Sequence, residues 1–244
     1  KPRATNRPYM QIEQELAQVT LENDSVLTVG VFDGVHRGHQ KLLSAVTTEA
    51  SSKGYVPGVL TFRNHPDSIF RADFRPQYIT SLEKRIKLIK DCGVSFVMPV
   101  TFDKEVAHLR AEDFARLLQE KLRMKSLIIG PDFAMGHNRE GNIEKLTALG
   151  AQMGFAVQEI DLMVNGGKAV RSTQIRQAIA SGDIDMATTM LGRHFSLVGE
   201  VAHGDKRGRE LGFPTANLQV SPDMAVPANG IYATFAYVDG QRHM

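Results

Sequence analysis

Apolar and polar positions along the chain follow two alternating rhythms. "SVLTVGVF" (25–32) is a short, β-branched apolar run closed by Asp33-Gly34, the pattern of a buried strand. From Arg37 to Lys53 the rhythm changes. Leu42, Leu43, Val46 and Ala50 recur at helical spacing, and Gly54 ends the segment. The exchange then repeats. "YVPGVLTF" (55–62), "VSFVMPV" (94–100), "SLIIG" (126–130) and "FAVQEIDLM" (155–163) read as strands. "SLEKRIKLIKDCG" (81–93), "EDFARLLQEKL" (112–122) and "NIEKLTALGAQMG" (142–154) read as helices, and "STQIRQAIASGD" (172–183) as a final helix capped by Ser172. Ser81 is followed three residues later by Lys84, so there is no full capping box, but Leu82, Ile86 and Ile89 share one face. Five strands alternating with helices of this length predict an α/β, Rossmann-like parallel sheet. Ligands of such sheets sit at the carboxyl ends of the strands. His36, His39 and Asp132 all follow predicted strands directly, so topology argues for one shared site.

Past Gly192 helical periodicity disappears. "HFSLVGEVAHG", "GFPTANLQV" and "GIYATFAYVDG" are short strand-like runs separated by Gly, Pro and Asp. The expected organisation is a domain over 9–192 and an all-β module over 193–244. The latter is near the lower size limit for an independent core, so a module cut short is expected.

Composition narrows the classes. The chain has 244 residues, 42% of them hydrophobic, and 29 basic against 27 acidic residues. This near balance points globally to neither nucleic acid nor membrane, and leaves room for a local basic site. The single cysteine, Cys92, excludes an intramolecular disulfide and a cysteine-based zinc site, and suits a reducing, cytoplasmic setting. No apolar run is long enough to span a membrane, and the N-terminal segment lacks a signal core.

"VGVFDGVHRGHQ" (29–40) places two imidazoles and two glycines where a strand turns into a helix. Three chemistries fit. A helix N-terminus offers free N–H groups and a positive dipole end to phosphate, with Gly34 and Gly38 allowing close approach. His36 and His39 could instead ligate a metal with Asp33 and His65. A solvated turn is the plain alternative. Walker A and G-x-G-x-x-G loops are both absent.

The form G-x-F-D-G-V-H-x-G-H after a first strand resembles the H-x-G-H nucleotidyltransferases. It is similar to the adenylyltransferase half of bacterial riboflavin kinase/FAD synthetases. "TFRNHP" (61–66) resembles the family's TF-x-P-H-P, with Asn64 for a proline. "GPDFAMGHNREG" (130–141) resembles its G-x-D/N-F-x-F-G segment, with Met135 for the second aromatic. "RSTQIR" (171–176) resembles S-S-T-x-x-R, with Arg171 for the first serine. "GEVAHGDKRGRELGFPTANL" (199–218) and "GIYA" (230–233) resemble the opening of the riboflavin kinase barrel.

The resemblance implies FMN + ATP → FAD + pyrophosphate, catalysed by positioning and charge neutralisation. It implies that His36 and His39 stabilise the reacting phosphates and that Ser172, Thr173 and Arg176 bind the departing ones. Gly30, Phe32, Asp33, Gly34 and Gly38 would shape the nucleotide loop. Asn64 and His65 would lie near the FMN phosphate, and Asp132 near the nucleotide sugar or the flavin. Plainer readings stand beside three of these: Asp132 as a turn residue, Arg176 as a solvated helix residue, His65 as part of an extended turn. For the β module it implies riboflavin + ATP → FMN + ADP, with ATP and Mg²⁺ held through Gly204, Gly208, Arg209, Gly212, Thr215 and Asn217. Small-molecule nucleotides and flavins are the implied partners. Mg²⁺ is the implied cofactor of both reactions, Thr215 and Asn217 its ligands in the second. The family's carboxylate base falls beyond Met244, so no kinase activity is expected of these 244 residues. Two alternatives are a nucleotidyltransferase with another acceptor, which lacks a β module, and a flavin-binding regulator without catalysis.

Overall fold

The structure is a computed structural model that describes residues 11–161, 164–165, 168–204, 212–213 and 215–243. Its centre is a five-stranded parallel sheet: β1 (Ser25–Gly30), β2 (Val56–Phe62), β3 (Phe96–Val100), β4 (Met124–Ile129) and β5 (Ala156–Glu159), in the order β3-β2-β1-β4-β5. All five predicted strands are present. The register is continuous from Ser25 opposite Val56 to Gly30 opposite Thr61, so β1 and β2 release their chains at the same level. β1 is buried along nearly its whole length, as a strand covered on both faces must be. Its side chains still alternate. Leu27 and Val29 enter one core with Leu60, Leu127 and Ile129, while Val26 enters another with Val46, Ala50 and Ile128.

Helices α1 (Gln11–Leu16), α5 (Lys104–His108), α6 (Ala111–Leu122) and α7 (Ile143–Met153) supply the larger core through Ile12, Leu16, Val106, Phe114, Leu118 and Leu146. Helices α2 (Arg37–Lys53) and α4 (Leu82–Asp91) cover the other face through Leu43, Val46 and Ile89. α3 (Asp67–Phe70) is one short turn after β2. The chain moves from β1 outward through β2 and β3, then returns to the other side of β1 for β4. That reversal places a crevice outside the carboxyl ends of β1 and β4.

Two sequence expectations are corrected beyond β5. After a small antiparallel pair, β6 (Val164–Asn165) with β7 (Lys168–Ala169), helix α8 runs from Ser172 to Ser181. It is not the final helix: α9 (Ile184–Leu191) follows, started by Asp183, whose side chain accepts the Met186 N–H. Its buried face, Ala187, Met190 and Leu191, packs on Ile175 and Ile179 of α8, a contact that the short Gly182 link between the helices creates. Nor does Ser172 cap α8. Arg171 occupies the cap position without a side-chain bond, and Ser172 is the first helical residue.

Among the described residues after Gly192 the regular elements are strands, as expected, in two antiparallel pairs: β8 (Glu200–Ala202) with β9 (Asn217–Gln219), and β10 (Ala236–Val238) with β11 (Gln241–His243). Gly208 and Arg209 lie outside the described residues. Residues 223–225 dock on the α/β body. Tyr78 N–H donates to Asp223 O at 2.7 Å, Ala225 N–H donates to Tyr78 O at 2.8 Å, and Ala225 joins the α8–α9 core.

Candidate active site

The loop after β1 is bent by its own backbone. Phe32 has φ 54°, Gly34 80° and Val35 38°, left-handed values that a β-branched or bulky residue rarely adopts. Each non-glycine residue there stores about 1–3 kcal/mol of strain, held only by over-determined surroundings. Those surroundings are visible. Phe32 and Val35 are buried. Gly34 N–H donates to Thr80 Oγ1, and Arg193 donates to the carbonyls of Gly34 and Val35 at 2.6 and 3.2 Å. A Cβ on Gly34 would press on Ile79.

The turn delivers His36 to the cap position of α2. Its Nδ1 accepts the His39 N–H at 3.3 Å. The His39 ring stacks on the His36 ring, 3.7 Å between centroids and 17° between planes, with Phe32 on its other side at 5.1 Å. Gly38 makes room: a Cβ there would sit 3.1 Å from the His36 ring. Burial first, then the Arg193 and Arg176 charges, lowers the His36 pKa to about 4. Burial, His36 and Arg85 push His39 well below its ordinary value. Both imidazoles are neutral at pH 7. With Nδ1 accepting, His36 carries its proton on Nε2.

Asp33 joins the two motifs. It is 2% exposed, and its carboxylate accepts from Ile79 N–H at 3.0 Å, Thr80 N–H at 3.2 Å and Arg176 Nη2 at 2.7 Å. Ser172 Oγ donates to the Asp33 carbonyl at 3.0 Å. "FDGVHRGH" and "STQIR", 143 residues apart at this ion pair, thus form one constellation around the N-termini of α2 and α8. Thr173 is exposed on the first turn of α8. Arg176 Nε donates to Gln77 O.

The remaining expected residues are placed as follows. Gly30 closes β1 against the Phe32 ring. Asn64 is bonded at both ends of its amide to the Phe102 backbone, at 2.8 and 2.9 Å, so it ties the loop after β2 to the loop after β3. His65 lies against Phe74, its Nδ1 accepting the Asp67 N–H, and burial lowers its pKa. Asp132, after β4, pairs with Arg171 at 2.8 Å, both side chains being half exposed. Two of the three departures from the family pattern, Asn64 and Arg171, therefore have polar partners. In the β region a Cβ on Gly204 would collide with the Asn217 amide, which brings these two together, and Thr215 and Asn217 are exposed.

Sequence reasoning missed Ile79 and Thr80, whose backbone cradles Asp33, and Arg193. Backbone donors leave no mark in side-chain identity. Arg193 lies at the edge of the texture change and gave no signal. It also missed Arg85, although a charged residue interleaved with an apolar helical stripe is a visible anomaly.

The FAD synthetase family model matches residues 18–174 and the riboflavin kinase model residues 191–244. A bifunctional riboflavin kinase/FMN adenylyltransferase of Escherichia coli K12 is 38% identical over 209 residues, 85% of this chain and 66% of that protein. Its Bacillus subtilis counterpart is 34% identical over 236 residues, 96% of this chain and 72% of that one. A crystal structure described as a macrolide-efflux protein of Streptococcus pneumoniae superposes with a TM-score of 0.85 at 28% identity, covering 93% of this chain and 74% of that one. The chain spans just under two thirds of the length of the E. coli relative. No helix among the described residues is long and apolar enough to cross a membrane. The chain therefore belongs to the FAD synthetase family over residues 18–174, and a region matching the riboflavin kinase model follows it.

Proposed function

We propose that the site transfers an adenylyl group from ATP to FMN, releasing FAD and pyrophosphate. The observation that carries this reading is Asp33, which binds Arg176 and Ser172 to the histidine loop so that two helix N-termini serve one polyphosphate. An FMN phosphate oxygen forms the bond to the α-phosphorus, the bond from that phosphorus to the bridging oxygen breaks, and pyrophosphate carries the electron pair away. No protein nucleophile is required, and positioning and charge stabilisation do the chemistry. His36 donates from Nε2 to a phosphate oxygen. Ser172, Thr173 and Arg176 hold the departing phosphates at the positive end of α8. His39 supports His36 through the stacked rings, and His65 faces the flavin phosphate. Gly30, Phe32, Gly34 and Gly38 shape the loop.

Mg²⁺ suits this donor set. Among the described residues no group of His, Cys, Asp and Glu is arranged to cage a metal, and the Asp33 oxygens are already engaged, so the substrate phosphates are the hard oxygen donors. When bound, Mg²⁺ neutralises phosphate charge. In the β region Thr215 and Asn217 would hold it, with Gly204 and Arg209 toward ATP, for phosphorylation of riboflavin by the whole protein. Flavins and nucleotides are then the partners, and the lone Cys92 favours a cytoplasmic setting.

The test is incubation with FMN, ATP and Mg²⁺, following FAD and pyrophosphate together. Equimolar appearance of both is expected. FMN binding with no FAD would overturn catalysis in favour of a flavin-binding regulator.

A further inference from the structure

Arg85 of α4 is 1% exposed and among the largest fully buried side chains. A guanidinium keeps its proton in proteins, so it carries a full charge into the interior, where charges ordinarily meet carboxylates. Arg85 meets two neutral carbonyls instead. Nη1 donates to Val31 O at 2.9 Å and Nη2 to Phe62 O at 2.7 Å. Among the described residues its Nε is buried with no hydrogen-bond partner. The Tyr78 ring lies 5.8 Å from the guanidinium carbon. Asp33 is near enough to act on it electrostatically, but its oxygens are taken by Ile79, Thr80 and Arg176.

The two carbonyls are at informative places. Phe62 is the last residue of β2, and Val31 directly follows β1. The loops that leave there carry His36 and His39 on one side and Asn64 and His65 on the other. Arg85 therefore ties the two loops at their roots and brings there a charge with no carboxylate in hydrogen-bond contact, only the more distant fields of Asp33 and Glu83.

We propose that Arg85, out of reach of any substrate, is a positioning residue for phosphate-bearing ligands, joining the loops after β1 and β2 and supplying from below a positive charge that a bound anion completes. The proposal rests on the adenylyl-transfer reading of the same site. Its charge adds to burial and His36 in lowering the His39 pKa, and is the smallest contribution at His65, after burial, Asp67, Arg176 and Asp33.

Three substitutions separate charge from bonding. R85K keeps the charge, R85Q keeps donors without charge, and R85M keeps neither. Binding of ATP and of adenosine is measured by calorimetry for each, with FAD formation and thermal unfolding alongside. In R85Q, ATP binding is expected to weaken by roughly ten-fold or more, the scale of one nearby charge on a polyphosphate, while adenosine changes little. R85K should stay near wild type. Equal weakening of ATP and adenosine in R85Q, or none, would make Arg85 purely structural and overturn the proposal. So would failure of both neutral variants to fold. A wild-type chain that makes no FAD is a different failure, that of the adenylyl-transfer reading itself.

Discussion

β1 and β9 are both short strands, and their apolar side chains, Val26 and Leu27 in the one and Leu218 in the other, meet opposite fates. Val26 and Leu27 of β1 are fully buried, with helices on both faces of the sheet. Leu218 of β9 is 48% exposed and Val201 of its partner β8 71%. Tyr237 and Val238 of β10 are likewise open. Among the described residues after Gly192, Ala225 is the one buried side chain, and it is buried by the α/β body. Backbone pairing is present in both regions. What differs is a second layer. A two-stranded ribbon satisfies its hydrogen bonds but removes little apolar surface from water, so it is marginal by itself. The strained loop at Phe32 and Val35 sits in the first kind of environment, where rigid packing can hold it.

The comparison can be broken most forcefully at Asp33. D33A leaves Arg176 and two N–H groups without their acceptor, and is expected to cost about 3–5 kcal/mol of stability in chemical denaturation, because a buried pair has lost one member. A loss under 1 kcal/mol would mean the two motifs are not joined through this carboxylate.

Next is His36. H36A should lower turnover by roughly 10²–10³, the usual scale for one donor to a developing charge, while FMN affinity moves far less. Parallel loss of both would assign His36 to binding.

Acid comes third. The folded chain keeps His36 neutral down to about pH 4, whereas the unfolded chain takes up a proton near 6.5. Protons thus favour unfolding between these values. Stability is highest above pH 6.5 and declines as the pH falls towards 4, by on the order of 3 kcal/mol from this residue, with His39 acting in the same direction. Urea unfolding of the wild type and H36N across that range checks it, the slope being shallower in the variant.

The smallest effect sharpens the contrast between regions. Y237S on β10 is expected to stay within about 0.5 kcal/mol of the parent, as exposed positions do, whereas L127A in β4 should cost about 2–5 kcal/mol. Similar losses at both would show that the C-terminal strands contribute to the common core.

The alternation of five strands with helices, the change of texture after Gly192, and the two motifs at the N-termini of α2 and α8 were all legible in the chain, because each is a short-range pattern of side-chain type and spacing. Helix α9 was not, since its Met and Thr content gives a weak stripe that only α8 makes worth burying. Ser172 shows the same limit. Its type suits a cap, but the helix begins at Ser172 itself with Arg171 in the cap position, and the hydroxyl donates to the Asp33 carbonyl. The sequence by itself determined which chemical groups are available: two imidazoles, a carboxylate, a guanidinium and glycines where the backbone must bend. Only the tertiary structure decided that Asp33 would bind Arg176, that Arg171 would face Asp132, and that Arg85 would be buried on two carbonyls at the roots of the site loops. Those outcomes depend on strand order and on segments meeting across 23 to 143 residues, which no local pattern encodes.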